Sequence, residues 1–302
     1  MLKTILITGG TGLIGQQLSK RLNEKGYQVR HLSRTENLAA KYPAYGWDTQ
    51  AMTMNPKALE GVDGVIHLAG AGIADERWTA KRKEIIETSR IKTSQLLYNY
   101  LAEAQSKPTV VVACSAIGYY GNRGNEKLTE KSKVGNDFMA DICAKWEASE
   151  EPIRSLGIRM PTIRVGVVLS TQGGALPELT KTAALKTLAH FGGRYMSWIH
   201  IDDIVEAFVV ALENESMNDY YNGTAPVPVT SKDMIDALEK AYGSTMLKMP
   251  APAFGVRLAL GEMGDVVLNS TRVFPNNLEK IGFKYQQPDL VAALKDLFER
   301  KV

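Results

Sequence analysis

The stretch TGGTGLIG at residues 8–15 decides the fold of this chain. Its first residue ends the run Ile5–Thr8, which predicts a buried strand, and its end begins a pattern in which Ile14, Leu18 and Leu22 recur four residues apart. That spacing places the three side chains on one face of a helix. The segment therefore predicts a tight turn that leads from a strand into an amphipathic helix.

The glycines of this turn have separate physical roles. Gly9 permits the tight turn, Gly12 removes a side chain where the backbone must approach a diphosphate, and Gly15 allows close packing of the helix. The free N–H groups and the partial positive charge at a helix N-terminus attract phosphates. We therefore predict a dinucleotide site at which Gly9, Gly12, Leu13, Ile14 and Gly15 contact the cofactor. The alternative is a turn that holds no ligand.

Short apolar runs alternate with longer helical patterns along most of the chain, which is typical of βαβ units around a parallel sheet. We expect an α/β fold, a doubly wound parallel Rossmann sheet with a smaller α+β substrate domain. The dinucleotide-binding domain is predicted over 1–170 plus 197–222, and the substrate domain over 171–196 and 223–302. Further strands are predicted at 27–32, 64–69, 109–114, 163–169 and 198–201, and helices at 79–104, 136–155, 231–242 and 289–299.

The end of the second predicted strand carries Ser33 and Arg34. Sites that prefer NAD usually place an acidic side chain there for the ribose 2′-hydroxyl. A guanidinium instead pairs well with a 2′-phosphate, and a serine hydroxyl adds a hydrogen bond. The sequence therefore predicts NADP as the cofactor, with NAD less favoured. The alternative is that Arg34 is merely solvated at the strand end.

The composition excludes several other classes of protein. The 302 residues carry 36 basic and 33 acidic side chains, and a net charge of +3 is too balanced for a partner such as nucleic acid or a membrane surface. Cys114 and Cys143 lie in no metal-ligand spacing and form no disulfide framework, so we expect no metal site and a reducing compartment. No apolar run reaches the about 18 residues that suggest a membrane span. These features predict a cytoplasmic protein.

Short sequence motifs that can be compared with those of known families occur along nearly the whole chain. They are TGGTGLIG (8–15), HLAG (67–70), ERW (76–78), SRI (89–91), SAIGYYG (115–121), WE (146–147), GGAL (173–176), SWIHIDD (197–203) and RVFPNNLEKIGF (272–283). Together they resemble the extended short-chain dehydrogenase/reductase superfamily, and within it the atypical epimerase-like (NAD-dependent epimerase/dehydratase) family with a C-terminal domain of unknown function. The resemblance implies that Leu68, Ala69, Gly70, Arg164 and Val165 contact the cofactor.

The chain departs from the superfamily at the acid/base position. Active members use a Tyr and, four residues later, a Lys on the helix that follows the SAIGYYG segment. If Glu147 matches the glutamate usually found four residues beyond that Lys, the two positions hold Met139 and Cys143. A thioether exchanges no proton, and a thiol does not supply the charge of a lysine. Lys145 lies about 200° around the helix from Cys143, so it does not replace the missing lysine.

Two hydroxyl residues remain as catalytic candidates. Ser115 ends a predicted strand at the edge where open parallel sheets bind ligands, and the resemblance implies a serine there that hydrogen-bonds the substrate. The alternative is a serine that satisfies the backbone of a turn. Tyr120 would donate a proton only if its pKa fell well below about 10, and packing or a substrate contact is the alternative. We interpret Cys143 as a small buried residue rather than a nucleophile.

The segment SWIHIDD at 197–203 places His200 next to two acidic residues. Such a group suggests a proton relay or a metal site. The resemblance implies a structural role at the interface between the two domains, which is the interpretation we prefer. Trp78, Arg90 and Trp198 are compatible with a substrate pocket and equally with packing.

Two functions fit these observations. The first is an NADP-dependent oxidoreductase or sugar-nucleotide epimerase-like enzyme, with a small molecule as its partner and a sugar nucleotide as one candidate substrate. The second is a non-catalytic NADP-binding sensor or regulatory protein. The missing Tyr/Lys pair favours the second, whereas Ser115 and the full second domain favour the first. The helices at 79–104 and 136–155 are candidates for pairing in a homodimer, as they do in many relatives.

Overall fold

The centre of the computed structural model, which describes residues 3–300, is a sheet of eight strands. The strands of the chain are β1 (Thr4–Thr8), β2 (Gln28–Ser33), β3 (Ala44–Asp48), β4 (Thr53–Met54), β5 (Gly64–His67), β6 (Val110–Ala116), β7 (Lys127–Leu128), β8 (Thr162–Val165), β9 (Val167–Leu169), β10 (Thr187–His190), β11 (Tyr195–Met196), β12 (Trp198–His200), β13 (Tyr220–Gly223), β14 (Val229–Thr230), β15 (Leu247–Pro250) and β16 (Arg272–Val273). The large sheet has the order β13-β8-β6-β5-β1-β2-β3-β4, and only the pair β3–β4 is antiparallel. The order changes direction between β1 and β5, which makes the carboxyl ends of these strands the expected ligand site.

Helices cover both faces of this sheet. They are α1 (Leu13–Glu24), α2 (Ala80–Glu103), α3 (Phe138–Arg154), α4 (Ala175–Leu179), α5 (Ile201–Glu213), α6 (Ser231–Tyr242), α7 (Ala253–Leu260), α8 (Asp265–Leu268), α9 (Asn276–Lys280) and α10 (Leu290–Glu299). Helices α1 and α5 pack against each other on one face, and α2 packs against α3 on the other. Within residues 3–300, no helix combines the length and the apolar character that crossing a bilayer requires.

The strand β1 contributes to a hydrophobic core on each side of the sheet. Ile5 packs in one cluster with Leu18 of α1 and Phe208 of α5, whereas Leu6 packs in the other with Leu97 of α2. All five side chains are fully buried. A strand covered on both faces is apolar at every position, which explains why β1 shows no alternation of apolar and polar residues.

The sequence analysis missed β3 and β4 at one edge of the large sheet. The strand β3 has the sequence AYGWD and pairs with only three residues of β2, from His31 to Ser33. A short strand next to the sheet edge with a central glycine has neither a continuous apolar run nor a strict alternation. The hydrophobic pattern therefore gives little signal for such a strand.

The prediction of one continuous strand over 163–169 is wrong. The strand is interrupted at Gly166: β8 stays in the large sheet, whereas β9 pairs with β12. A Cβ atom at Gly166 would lie 2.7 Å from the carbonyl oxygen of Ser197, which means that only glycine fits at this close approach. The break directs the following segment away from the sheet and over the first turn of α1.

The remaining segments form small two-stranded sheets and short helices. The strand β10 pairs with β15, and β11 pairs with β14, while α6 packs against α10. This arrangement agrees with the expected α/β class, a doubly wound parallel sheet accompanied by a smaller α+β part. The division into two domains stays a prediction, and its outermost residues, 1–2 and 301–302, lie outside the described chain.

Candidate functional site

The glycine-rich turn between β1 and α1 leaves room for the close approach of a ligand. Gly9 has a φ of +69°, and a Cβ atom at Gly15 would lie 2.3 Å from the carbonyl oxygen of Gly9. Gly12 precedes the helix, and no side chain caps it. The N–H groups of Leu13 and Ile14 in the first turn have no partner within the helix. These uncapped donors are the expected contacts of a diphosphate.

Gly10 has a role that the sequence analysis missed. A Cβ atom at this position would lie 2.5 Å from Nε2 of His31, whose ring packs directly on the turn. The same Nε2 lies 2.8 Å from Oγ of Ser19 in α1. Burial lowers the pKa of His31, so the ring stays neutral beside the turn. The sequence signal for this contact is a histidine on the neighbouring strand β2 combined with two adjacent glycines in the turn.

The loop after β5 is fixed beside the glycine-rich turn. Oγ1 of Thr8 accepts the N–H groups of Leu68 and Ala69, at 3.1 Å each, and lies 2.8 Å from Nδ1 of His67. A Cβ atom on Gly9 would lie 3.0 Å from the backbone of Leu68. Gly70 follows and is exposed. The structure therefore brings the predicted contacts at 68–70 next to those of the turn.

The end of β2 presents Ser33 and Arg34 at the same edge of the sheet. Strands β1 and β2 run in parallel with Thr8 opposite Leu32. Ser33 and Arg34 follow Leu32 and therefore lie beside the glycine-rich turn that follows Thr8. Oγ of Ser33 accepts the N–H of Thr35 at 3.3 Å. Arg34 is exposed, and it is the sole arginine within residues 3–300 whose side chain makes neither a hydrogen bond nor an ion pair with the chain.

The segment between β9 and α4 closes over the first turn of α1. Cβ atoms at Gly173 and Gly174 would lie 3.7 and 3.4 Å from the side chain of Leu13. Nε2 of Gln17 donates to Oε1 of Gln172 at 2.8 Å. Part of the predicted substrate domain thus contacts the predicted cofactor site directly.

Ser115 and Tyr120 belong to a buried hydrogen-bond network at the ends of β6 and β8. Oγ of Ser115 donates to Glu147 at 2.6 Å, and Glu147 accepts two hydrogen bonds of 2.8 Å from Arg164. Nη1 of Arg164 donates to the Tyr120 oxygen at 3.0 Å, and the Tyr120 hydroxyl donates to Asn222 at 2.7 Å. All five residues are buried, with at most 6% of their surface exposed.

This network commits the predicted catalytic groups to partners within the chain. Burial raises the pKa of Tyr120 to about 12 and outweighs the opposing effect of Arg164. Burial opposes the charge of Arg164, but its bond to Glu147 raises the pKa of the guanidinium overall. The catalytic roles of Ser115 and Tyr120 stay predictions, as do the cofactor contacts of Arg164 and of the neighbouring buried Val165.

The two positions that the family resemblance assigns to the acid/base pair lie side by side. Met139 and Cys143 are one turn apart on α3, and a Cβ atom at Gly118 would lie 3.4 Å from both side chains. Burial raises the pKa of the Cys143 thiol to about 12, so the thiol stays protonated. Lys145 is exposed and pairs with Glu87 at 3.2 Å, which agrees with its expected position off this face.

The group around His200 joins secondary-structure elements to each other. Nδ1 of His200 accepts the N–H of Asp202 at 3.1 Å, and Asp203 accepts the N–H of Gln286 at 2.6 Å. The carboxylate of Asp202 is paired with Arg300, which supplies the positive charge at this group. These contacts support the structural interpretation of the 197–203 segment, because each acidic group already has a partner.

Two family models together match most of the chain. Residues 5–222 match the model of the NAD-dependent epimerase/dehydratase family. This chain belongs to that family. Residues 251–297 match a domain of unknown function, DUF1731. The resemblance drawn from the motifs is therefore confirmed for both parts of the chain.

Similar proteins extend over the full length. An epimerase family protein of Staphylococcus saprophyticus is 35% identical, over 98% of this chain and 99% of that protein. The crystal structure of the human epimerase family protein SDR39U1 with NADPH has a TM-score of 0.88 and 28% identity, covering 99% of this chain and 100% of that one. A nucleoside-diphosphate sugar epimerase from Corynebacterium glutamicum has a TM-score of 0.78 and 31% identity, covering 98% of this chain and 58% of that one. These likenesses confirm the Rossmann-like fold.

Proposed function

We propose that this protein is an NADP-dependent oxidoreductase or epimerase-like enzyme. One observation carries the choice of NADP: Arg34, alone among the arginines of residues 3–300, is left without a hydrogen bond or ion pair at the end of β2. Leaving a guanidinium unpaired next to an uncapped helix N-terminus suits an anionic ligand. The NADPH in the structure of human SDR39U1 supports the same choice.

The residues of this edge fit such a cofactor. The N–H groups of Leu13 and Ile14 would hold the diphosphate, and the lack of a side chain at Gly12 leaves the space for it. Ser33 and Arg34 would hold the 2′-phosphate, and residues 68–70 would line the adenosine. When bound, the nicotinamide would accept or donate a hydride.

Ser115 and Tyr120 are the hydroxyl groups proposed to contact the substrate. Their position at the end of β6 supports this role, but both must exchange their present partners, Glu147 and Asn222, to reach a ligand. A substrate hydroxyl or water is the other source of a proton. The two-domain division, a homodimer through α2 and α3 and a cytoplasmic location are retained as further parts of this proposal.

The enclosed network favours a second candidate, a non-catalytic NADP-binding sensor or regulatory protein. A protein that only senses its cofactor needs no accessible acid or base, and here both hydroxyls are buried. Absorbance of NADPH with panels of aldehydes, ketones and sugar nucleotides separates the two functions. Turnover that falls in Ser115→Ala supports the enzyme, whereas tight binding of NADPH without turnover supports the sensor.

The cofactor assignment is tested by Arg34→Ala. We expect the dissociation constant for NADPH to rise about tenfold or more, since a charge-assisted contact of about 1.5–3 kcal/mol is lost, while that for NADH hardly changes. Arg194→Ala, which removes an exposed arginine of the 171–196 segment, is the control. An equal loss of affinity for both nucleotides in Arg34→Ala would overturn the 2′-phosphate assignment.

A further inference from the structure

Four segments meet around the end of β6, and we call them the cleft rim: residues 70–79, 117–121, 138–143 and 253–264. The rings of Trp78 and Phe138 are 4.8 Å apart, which joins the first segment to the start of α3. Arg77 donates to the carbonyl oxygen of Leu258 at 3.5 Å, which joins the first segment to α7. The turn at 117–121 contacts α3 through Gly118, as described above. These contacts join the four segments into one surface. The proposed function puts the nicotinamide near the end of β6, so a substrate would meet this surface.

The cleft rim has no surplus of positive charge. Its sequence contains two basic residues, Arg77 and Arg257, and four acidic residues, Asp75, Glu76, Asp141 and Glu262. Cations beside the rim neutralise these acids, since Arg82 pairs with Asp75 at 3.3 Å and Lys83 pairs with Glu262. Arg257 is paired with Asp265 at 2.9 Å. An anion that binds to Arg82, Lys83 or Arg257 would therefore have to displace an ion pair that already exists.

The same region exposes large apolar side chains. Phe254 and Leu258 lie one turn apart on α7 and are 74% and 78% exposed. Leu247 and Met249 of β15 and Leu185, which precedes β10, are also exposed. Strand β15 leads directly into α7, so most of these side chains belong to one continuous segment of chain. Exposed apolar side chains grouped in this way are typical of binding sites rather than of ordinary surface.

We infer that the substrate is an uncharged, mainly apolar molecule, such as a long-chain ketone or aldehyde, and not a sugar nucleotide. This inference rests on the proposed function, because it concerns the substrate of the same site. Met139 and Cys143, where the superfamily has its polar acid/base pair, present a thioether and a protonated thiol to the turn at Gly118. An apolar chain gains from burial against such groups at about 25 cal/mol per Å².

A sugar nucleotide would gain little at this rim. Its diphosphate carries two negative charges, which lose hydration on binding and need cationic or N–H partners in return. In the adjoining 171–196 segment, Lys186 and Arg194 are exposed, and Arg194 donates one hydrogen bond to the carbonyl oxygen of Phe191. If a diphosphate binds this segment outside the cofactor site, these two side chains are candidates for holding it, and they serve below as controls.

The test measures binding rather than turnover. NADPH affinity is determined first by its fluorescence, and the protein is then titrated with 2-decanone and with UDP-glucose in a calorimeter, both with and without saturating NADPH. We expect saturable binding of one 2-decanone per chain. With the cofactor site filled by saturating NADPH, we expect no saturable heat from UDP-glucose up to about 1 mM, which corresponds to a binding free energy of about −4 kcal/mol. Saturable binding of UDP-glucose to the NADPH-saturated protein, or none of 2-decanone in either titration, overturns the inference. Absence of NADPH binding overturns the proposed function separately.

Two substitutions locate the apolar ligand. Met139→Gln keeps the length of the side chain, and Leu258→Ser changes an exposed position that does not threaten folding. Each is expected to lower the affinity for 2-decanone about tenfold, because apolar burial is lost, and to leave the affinity for NADPH unchanged. Lys186→Ala and Arg194→Ala are expected to change neither affinity. The inference fails if 2-decanone binds all four variants equally, or if the two controls weaken it.

Discussion

The two ends of the predicted cofactor path differ in how their polar groups are satisfied. At the glycine-rich turn, N–H groups are uncapped and Arg34 is unpaired, whereas at the end of β6 each member of the Ser115–Glu147–Arg164–Tyr120–Asn222 network has a partner in the chain. Unsatisfied groups at an exposed edge cost little until a ligand arrives, because water solvates them. Satisfied groups in the interior instead stabilise one arrangement of the fold. The difference indicates that cofactor recognition is built into the first end and rigidity into the second.

The largest expected effect comes from breaking the buried ion pair. Glu147→Gln leaves the guanidinium of Arg164 buried without its counter-charge, so we expect the free energy of unfolding to fall by about 3–5 kcal/mol. Urea denaturation measures the loss. The control is Glu151→Gln, which breaks the more exposed pair with Arg154 and should cost at most about 1 kcal/mol. Equal losses would contradict the view that the closed end stabilises the fold.

A pH effect at His67 should come next. Burial lowers the pKa of this side chain to about 4, from an ordinary value near 6.5 in the unfolded chain. The unfolded state therefore binds the proton more readily, so the stabilising effect is complete above about pH 6.5 and is lost as the pH falls toward 4, by at most about 1.4 kcal/mol per pH unit.

The measurement is thermal unfolding between pH 7 and pH 4 of the parent and of His67→Gln, which cannot titrate. The parent should lose more stability than the variant over this interval. Glu150, 3.9 Å from His67, has a pKa that burial raises well above its usual range, which favours its neutral form; burial is the cause of the low pKa of His67. Parallel pH curves for the two proteins would refute this assignment.

A smaller effect is expected from Gly15→Ala at the open end. The new Cβ atom would meet the carbonyl oxygen of Gly9 at 2.3 Å, and relieving that overlap should cost about 1–3 kcal/mol of stability and weaken NADPH. In Gly193→Ala the new Cβ atom meets nothing within 4 Å, so this variant is the matched control. Unchanged NADPH binding by Gly15→Ala would show that the turn does not hold the cofactor.

The smallest effect is expected from Tyr120→Phe. The loss of the hydroxyl leaves Asn222 without one donor and Arg164 without one acceptor, which should lower the free energy of unfolding by about 1–2 kcal/mol. NADPH binding, which depends on the other end, should not change. A variant that is as stable as the parent but inactive would instead identify Tyr120 as a group that contacts the substrate.

The same contrast explains how much the sequence predicts. The glycine-rich turn is local, so its spacing, the flanking strand and the helix can be recognised within about twenty residues of chain. The buried network joins Ser115 to Glu147 and Arg164, and no periodicity connects these positions. The sequence therefore predicts each member separately: Ser115 as a catalytic residue, Glu147 as part of a family motif, and Arg164 as a cofactor contact.

Two other features of the fold are not predicted by the sequence, for related reasons. The break at Gly166 depends on the backbone of Ser197, which is distant in sequence, and the apolar run over 163–169 gives no sign of it. The reason for a glycine at position 10 is the approach of His31 from β2, which the sequence of the turn does not show. In both cases the missing information was the approach of another segment in space.

Amide hydrogen exchange with and without NADPH tests the central claim most directly. We predict that the amides of residues 13–15 exchange more slowly once NADPH is bound, while those around Ser115 and Tyr120, already enclosed, change little. Slower exchange at the end of β6 with no change at residues 13–15 would contradict the assignment of the open end as the place of cofactor recognition.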